Sequence, residues 1–290
     1  MLYALVDTSS KKSLRKIKSE EMLGEVKVVI PQFTIRKSKK YANIFIQKMK
    51  EYKVQNVVLS CKIAENKDFC RALEENRTYI VTGRRLGKSI MIKIVNDISK
   101  YTRYQKEKMS ILLLMNEYSL ENIELVEQLS SDIKQLNIIS RNFSKYEKTA
   151  HRLFNEYGYV VELYAENTIK EFKKVNIIIN LDFKEDELRK LNFAKNSVVV
   201  SLNEKINTIK KGFNGIIIND IDISGNIENS PNYRKMALCE AKIYKPLRKL
   251  KENERIFNLE KYIINGYIGK RGKITQEEFE RIGKTFSWQI

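Results

Sequence analysis

The stretch Ile111-Leu112-Leu113-Leu114-Met115-Asn116-Glu117-Tyr118-Ser119-Leu120 decides the fold of the second half of the chain. Four consecutive apolar residues make a short strand of the kind that is buried on both faces. An apolar helical pattern then runs over about 119–131. The alternation recurs with a strand over 136–140, a helix over 144–157, a strand over 160–163, and strands over 175–181 and 198–202. Short buried strands alternating with amphipathic helices specify a parallel sheet with helices on both sides. Helix 144–157 has the fullest signature: Ser144 and Glu147 make a capping box, and Tyr146, Ala150, Leu153, Phe154 and Tyr157 form its apolar stripe. Gly158 is placed to end it in the left-handed conformation.

The first 107 residues alternate in the same way. Candidate strands are 2–6, 26–30, 57–60 and 79–82. Tyr41, Ile44, Phe45, Met49 and Tyr52 recur at helical spacing, as do Met91, Ile94, Val95, Ile98 and Tyr101. From Pro231 the pattern is mainly helical to about Tyr262 with a break near Pro246, and Thr275-Gln276-Glu277-Glu278 begins one more helix. The expected architecture is α/β: a basic N-terminal domain over 1–107, a second α/β domain over 108–225, and a helical tail over 226–290 packing back on the first domain.

At 290 residues and 42% apolar content the chain carries enough core for two compact domains. No apolar run reaches the roughly 18 residues of a membrane span. The N-terminus Met1-Leu2-Tyr3-Ala4-Leu5-Val6-Asp7 lacks a basic leader with a cleavage site, so the protein is read as cytoplasmic. Cys61, Cys70 and Cys239 have neither disulfide nor zinc-site spacing and are read as buried small hydrophobes. The net charge of +18 is unevenly placed. Residues 1–107 hold 24 Lys+Arg against 11 Asp+Glu, 108–225 hold 16 against 17, and 226–290 hold 14 against 8. An AT-rich genome would enrich lysine everywhere and would not spare the middle. An anionic partner at the basic end, nucleic acid or a phosphorylated ligand, is the other explanation.

The run Ile138-Ile139-Ser140-Arg141-Asn142-Phe143-Ser144-Lys145-Tyr146-Glu147-Lys148 resembles the second strand and helix of the NADP-binding Rossmann domain in the shikimate dehydrogenase and glutamyl-tRNA reductase families. Those families commonly end that strand in Asn-Arg-Thr. The likeness extends through Ala165 to Lys173, the strand Val175 to Asp182, and Asn196 to Leu202. It implies NADP as cofactor, with Arg141 meeting the adenosine 2′-phosphate and Ser140 and Asn142 beside it. The chain departs from that pattern where the pyrophosphate is held. A phosphate cradle needs backbone N–H groups at a helix start, approached through glycines. No glycine lies between Gly87 and Gly158, and Glu117, Glu121 and Glu124 stand at or just behind the loop. No counterpart of the shikimate dehydrogenase catalytic Lys and Asp pair is found in the first domain.

A second candidate is Tyr79-Ile80-Val81-Thr82-Gly83-Arg84-Arg85-Leu86-Gly87-Lys88-Ser89, which ends in Gly-Lys-Ser as a P-loop does. Three residues separate its glycines where a P-loop has four, and Thr82 takes the place of the first glycine. Ile177 to Asp182 would be the matching Walker B strand but belongs to the second sheet. What survives is an anion-binding reading of Gly83, Arg84, Arg85, Gly87, Lys88 and Ser89 at a helix start, beside that of a solvated turn. His151, the single histidine, lies in helix 144–157 and is read as a partly buried helix residue, which leaves no Ser-His-Asp or Cys-His arrangement. Tyr41, Tyr52, Tyr101 and Tyr104 lie among basic residues, where base stacking and core packing compete.

The first functional reading is therefore a non-catalytic protein with a degenerate nucleotide domain, binding an anionic partner through its basic lobe. The alternative is an NADP-dependent oxidoreductase, and a P-loop-like nucleotide-binding protein comes third.

Overall fold

The computed structural model describes residues 3–9, 17–22, 25–168, 171–223, 232–243 and 263–286. The first elements are β1 (Tyr3–Thr8), β2 (Lys18–Met22), β3 (Glu25–Ile30), α1 (Ser38–Glu51), β4 (Asn56–Leu59), α2 (Cys61–Ala64), α3 (Lys67–Glu75), β5 (Tyr79–Ile80) and α4 (Arg84–Ser89). Then come α5 (Met91–Thr102), β6 (Ser110–Leu114), α6 (Leu120–Ser130), β7 (Gln135–Ser140), α7 (Phe143–Tyr157), β8 (Val161–Ala165) and β9 (Glu171–Phe172). They are followed by β10 (Ile177–Asn180), α8 (Glu185–Lys190), β11 (Asn192–Phe193), β12 (Val198–Ser201), β13 (Ile216–Ile218) and β14 (Asp220–Ile223). The chain closes with α9 (Lys235–Ile243), β15 (Ile264–Gly269), β16 (Gly272–Lys273) and α10 (Gln276–Phe286). Two compact units result, one from Met1–Leu86 with Ile223–Ile263, the other from Gly87–Asp222 with Ile264–Ile290.

The first unit is built on a five-stranded sheet in the order β2-β3-β1-β4-β5. β3, β1, β4 and β5 are mutually parallel, and β2 runs antiparallel along the outer edge. The period of two along β1 divides the core. Ala4 and Val6 pack with Phe45, Met49, Phe69 and Leu73 of α1 and α3, whereas Tyr3 packs with Val58, Ala237 and Leu238, the last two from α9.

The second unit carries a six-stranded, fully parallel sheet in the order β13-β12-β10-β6-β7-β8. Numbered within this sheet, that is strand order 6-5-4-1-2-3, the Rossmann order. Leu112, Leu114, Ile178 and Val199 pack toward Phe183, Leu188 and Leu191 on the α8 side. Ile111, Leu113, Ile177, Ile179, Val198 and Val200 alternate to the other face and are equally buried. Burial on both faces is why these strands read as continuous apolar runs.

Helix α7 differs from its sequence signature. It starts at Phe143, its N-cap Asn142 makes no side-chain cap, and the Ser144–Glu147 capping box does not form. The Asn142 side chain donates instead to the carbonyl of Asn116, which draws the strand end into a neighbouring loop. The buried stripe is Tyr146, Thr149 and Leu153, while Phe154 and Tyr157 are exposed. β8, beside which α7 packs, is the edge strand, so only a narrow band of the helix is covered. Gly158 does take the left-handed conformation.

In the tail, α9 fulfils the start of the expected helix; the part beyond Ile243, with the break near Pro246, lies outside the described residues. The hairpin β15–β16 was not foreseen. Helix α10 lies on α5, with Phe279 against Tyr101 and Phe286 against Tyr104. Gly283 makes this possible, since a Cβ there would stand 1.9 Å from the carbonyl oxygen of Thr102. Gly283→Ala must therefore push two backbones apart and should cost about 2 kcal/mol or more, by analogy with overpacked cores. Urea denaturation measures it, and an unchanged midpoint would contradict the packing.

Candidate functional site

In a sheet of this order a ligand crevice opens at the carboxyl ends of the strands, where the order reverses. Here the reversal lies between β6 and β10, flanked by the turn 115–119 and by Leu181-Asp182. Asn116 N–H donates to both carboxylate oxygens of Asp182, each at 2.8 Å, and Glu117 N–H donates to one of them at 2.9 Å. A carboxylate of the chain itself thus occupies the backbone N–H groups that in a dinucleotide domain face the pyrophosphate. The rest of the turn is tied down as well. Asn122 Nδ2 and the Tyr146 hydroxyl both donate to the Glu117 carbonyl, and Ser119 caps α6 by accepting from Asn122 N–H. Burial, with the Asp182 and Glu117 carboxylates adding to it, pushes the Tyr146 phenol up to about 12. It stays protonated at neutral pH and acts as a strut.

Ser140, Arg141 and Asn142 come together at the carboxyl end of β7 and join this network. Arg141 N–H donates to Asn116 Oδ1 at 2.9 Å, Asn142 Nδ2 donates to the Asn116 carbonyl at 2.7 Å, and Ser140 Oγ accepts from Asn142 N–H. The Arg141 guanidinium forks onto both oxygens of Glu166 and also reaches Glu187. The hydrogen bond to Glu166 holds the guanidinium pKa above its ordinary value, and the same bond holds the Glu166 carboxyl below the usual carboxylate range. Arg141 therefore spends its planar fork on two carboxylates of its own chain.

The 83–89 run divides between the two units. In the first, Gly83 adopts φ +82°, and a Cβ there would stand 2.5 Å from Met236 Cβ, so the glycine serves close approach to α9. Glu240 of α9, fully buried, accepts from Leu86 N–H at 3.0 Å in the first turn of α4. Arg84 and Arg85 are half-buried. In the second unit, a Cβ on Gly87 would meet Leu202 Cδ2 at 2.6 Å. Lys88, only 7% exposed, lies 3.8 Å from Glu117 and 3.7 Å from Glu121, and Ser89 is half-buried beside it in sequence. Two features that the sequence presents separately, the acidic turn and the Gly-Lys-Ser run, meet in this ion pair.

The remaining candidates resolve into packing or surface. His151 is exposed on α7, because the covered band is narrower than the apolar stripe suggests. Cys239 is buried and Cys70 half-buried, and burial pushes each thiol up to about 11; Cys61 is exposed at the start of α2, unlike the buried role expected of it. Tyr41 packs on Phe33, the Tyr52 hydroxyl meets that of Ser19, and Tyr101 and Tyr104 lie against Phe279 and Phe286. Among the described residues no group of three or more His, Cys, Asp or Glu is placed to hold a metal ion. No described helix is long and apolar enough to cross a membrane. Sequence reasoning missed Asn116 and Asp182 as partners. The available signal was an acid ending the fourth strand of a domain whose first turn lacks glycine.

No family model matches the chain, and no curated protein does. Among solved structures, the ligand-free 5-ketofructose reductase of Gluconobacter sp. strain CHM43 is similar over 69% of this chain and 78% of its own, at 10% identity and TM-score 0.28. A structure assigned as an aspartate carbamoyltransferase from Trypanosoma cruzi is similar over 83% of this chain and 82% of its own, at 11% identity and TM-score 0.30. Scores this low carry no argument about the site, and the fold assignment rests on the strand order.

Removing the Asp182 carboxylate strands two backbone donors, so Asp182→Ala should destabilise the protein by about 2–3 kcal/mol, as for hydrogen bonds to charged groups. Asp182→Asn, which keeps an acceptor, should lose clearly less; equal losses in chemical denaturation would refute the seat. Arg141→Ala should lower stability at neutral pH by clearly less than Asp182→Ala, since the pair is solvent-screened. Because the Glu166 pKa is depressed on folding, that contribution is present above the ordinary carboxylate range and fades as pH falls through the folded value. Wild type and variant should therefore differ most above the ordinary carboxylate range and converge as pH falls below it.

Proposed function

We propose that this chain is a non-catalytic binding protein. Its Rossmann-like domain serves as architecture, and its basic N-terminal lobe holds an anionic partner, nucleic acid or a phosphate-containing ligand. The observation that carries the reading is the Asp182 carboxylate on the N–H groups of Asn116 and Glu117. A pyrophosphate would have to displace a tethered carboxylate from its donors and settle among Glu117, Glu121 and Asp182. The surplus of Lys and Arg over residues 1–107 supports the second half of the reading.

A second reading is favoured by one observation, the Rossmann order with Ser140-Arg141-Asn142 ending its second strand. On that reading the protein is an NADP-dependent oxidoreductase similar to shikimate dehydrogenase, with Arg141 released from Glu166 and Glu187 to meet the 2′-phosphate. A P-loop-like nucleotide site at 83–89 is the third.

One thermal-shift panel separates them: NADP(H), NAD(H), Mg-ATP, GTP and short nucleic acids, each at two salt concentrations. We expect no shift with millimolar dinucleotide or nucleotide, and stabilisation by nucleic acid that falls steeply with salt. An NADP(H) shift abolished by Arg141→Ala would establish the oxidoreductase reading instead. A Mg-ATP shift lowered by Arg84→Ala with Arg85→Ala would establish the third.

A further inference from the structure

The positive charge of the first unit follows the direction of its strands. At the carboxyl ends of β3, β4 and β5 the chain runs through residues 31–40, 60–68 and 81–86. These segments hold eight bases (Arg36, Lys37, Lys39, Lys40, Lys62, Lys67, Arg84, Arg85) against two acids, Glu65 and Asp68. At the opposite end, residues 48–55 and 74–78 hold four bases (Lys48, Lys50, Lys53, Arg77) against three acids, Glu51, Glu74 and Glu75. Lys48 and Lys50 there have a structural reason, since cations favour a helix C-terminus. The bases are equally dense at the two ends, eight in 25 residues and four in 13, as a genome-wide taste for lysine would give; what sets the carboxyl ends apart is the scarcity of acids, two in 25 residues against three in 13.

The densest part is the entry to α1. Arg36, Lys37, Lys39 and Lys40 are all exposed, residues 31–40 contain no carboxylate, and among the described residues none of the four side chains has an ion-pair partner. Four like charges crowd the positive end of a helix dipole, an arrangement that is unfavourable until an anion arrives. Asn66, the residue before Lys67, donates to Ser38 Oγ at 2.9 Å, which fixes the start of α3 beside the start of α1.

The width of this face selects the anion. β3, β1, β4 and β5 lie side by side, and three strand spacings span roughly 14 Å, more than one phosphate reaches and enough for several phosphates of a nucleic-acid strand. The nearby aromatics do not offer a stacking platform, because Phe33 packs on Tyr41 and on Phe69 at ring distances of 5.3 and 5.6 Å. Recognition without stacking or base readout is that of a duplex backbone.

We propose that Arg36, Lys37, Lys39 and Lys40, at the carboxyl end of the first unit's sheet, form the contact surface for the phosphate backbone of a nucleic-acid duplex, bound without sequence preference. This rests on the reading that the basic lobe holds an anionic partner. The test is fluorescence anisotropy of the full chain with a labelled mixed-sequence DNA duplex across a salt series. Four proteins are compared: wild type, a variant with Arg36, Lys37, Lys39 and Lys40 all changed to Gln, a control with Lys48, Lys50, Lys53 and Arg77 changed to Gln, and a variant with Arg84 and Arg85 changed to Ala. Unfolding midpoints confirm that all three variants fold.

With one counterion release per phosphate contact, the first variant should bind about 10–100-fold more weakly at moderate salt, with a salt slope smaller by about 3–4. The control, which loses the same charge, should stay close to wild type. Equal weakening of the first variant and the control would reduce the effect to net charge and overturn the assigned surface while leaving an anionic partner in place. The same holds if the variant with Arg84 and Arg85 changed to Ala loses binding and the first variant does not. Binding of a mononucleotide or inorganic phosphate with no binding of duplex would overturn the duplex and keep the anionic ligand. Wild type that binds none of these at low salt would overturn both.

Discussion

The acceptor position beneath the turn after β6 is filled by the Asp182 carboxylate, and the organisation of the second unit follows from that. A turn that presents adjacent N–H groups at the start of a helix must meet an acceptor, because buried or half-buried donors left unmade are costly. In a dinucleotide domain the acceptor is the cofactor and arrives from solution. Here it is covalently part of the chain, held at the end of the adjacent strand, and it forfeits no translational freedom on binding. Once that acceptor is internal, the turn has no need to let a backbone approach a diphosphate, and glycine has no role in it. Asn116, Glu117 and Tyr118 become allowed, and their side chains and carbonyls are recruited into the network that holds Asn142, Tyr146 and Asn122.

The same logic accounts for the cations around the crevice. Lys88 is nearly buried between Glu117 and Glu121, and Arg141 is forked on Glu166 and shared with Glu187. Both of these cations thus face carboxylates of the same unit. Glu240 makes a comparable choice in the first unit, where it accepts from the first turn of α4, and the Gly83 beside it serves the approach of α9. Glycines and a Gly-Lys-Ser string can therefore arise from helix packing and ion pairing alone.

Much of this architecture was legible because the second sheet is dominated by strands buried on two faces. Ile111 to Leu114, Ile177 to Asn180 and Val198 to Ser201 announce themselves as apolar runs whatever their partners are. The absence of glycine after β6 was equally plain. Elements defined by pairing more than by periodicity were not: β2 is mostly polar and exposed, and β9, β11 and β16 are two residues long. The Ser144–Glu147 signature misled because a competing partner, the Asn116 carbonyl, captured the helix start from outside the helix. Asp182 stayed hidden for a related reason. It lies 66 residues from Asn116, and only the strand order places the two ends together.

The charge asymmetry along the chain has a counterpart in this internal pairing. Carboxylates of the second unit pair with Arg141, Lys88, Arg152 and Arg189. The four cations at the entry to α1 have no such partners among the described residues. The Asp182 carboxylate answers the N–H donors of Asn116 and Glu117 in one unit, and Arg36, Lys37, Lys39 and Lys40 in the other have no ion-pair partner among the described residues. Exposed like charge at one end of a sheet raises the free energy of the isolated fold through self-repulsion, while paired charge lowers it or leaves it unchanged. Among the described residues, the second unit thus answers the cations Lys88 and Arg141 from within, whereas the four cations at the entry to α1 carry that cost of self-repulsion.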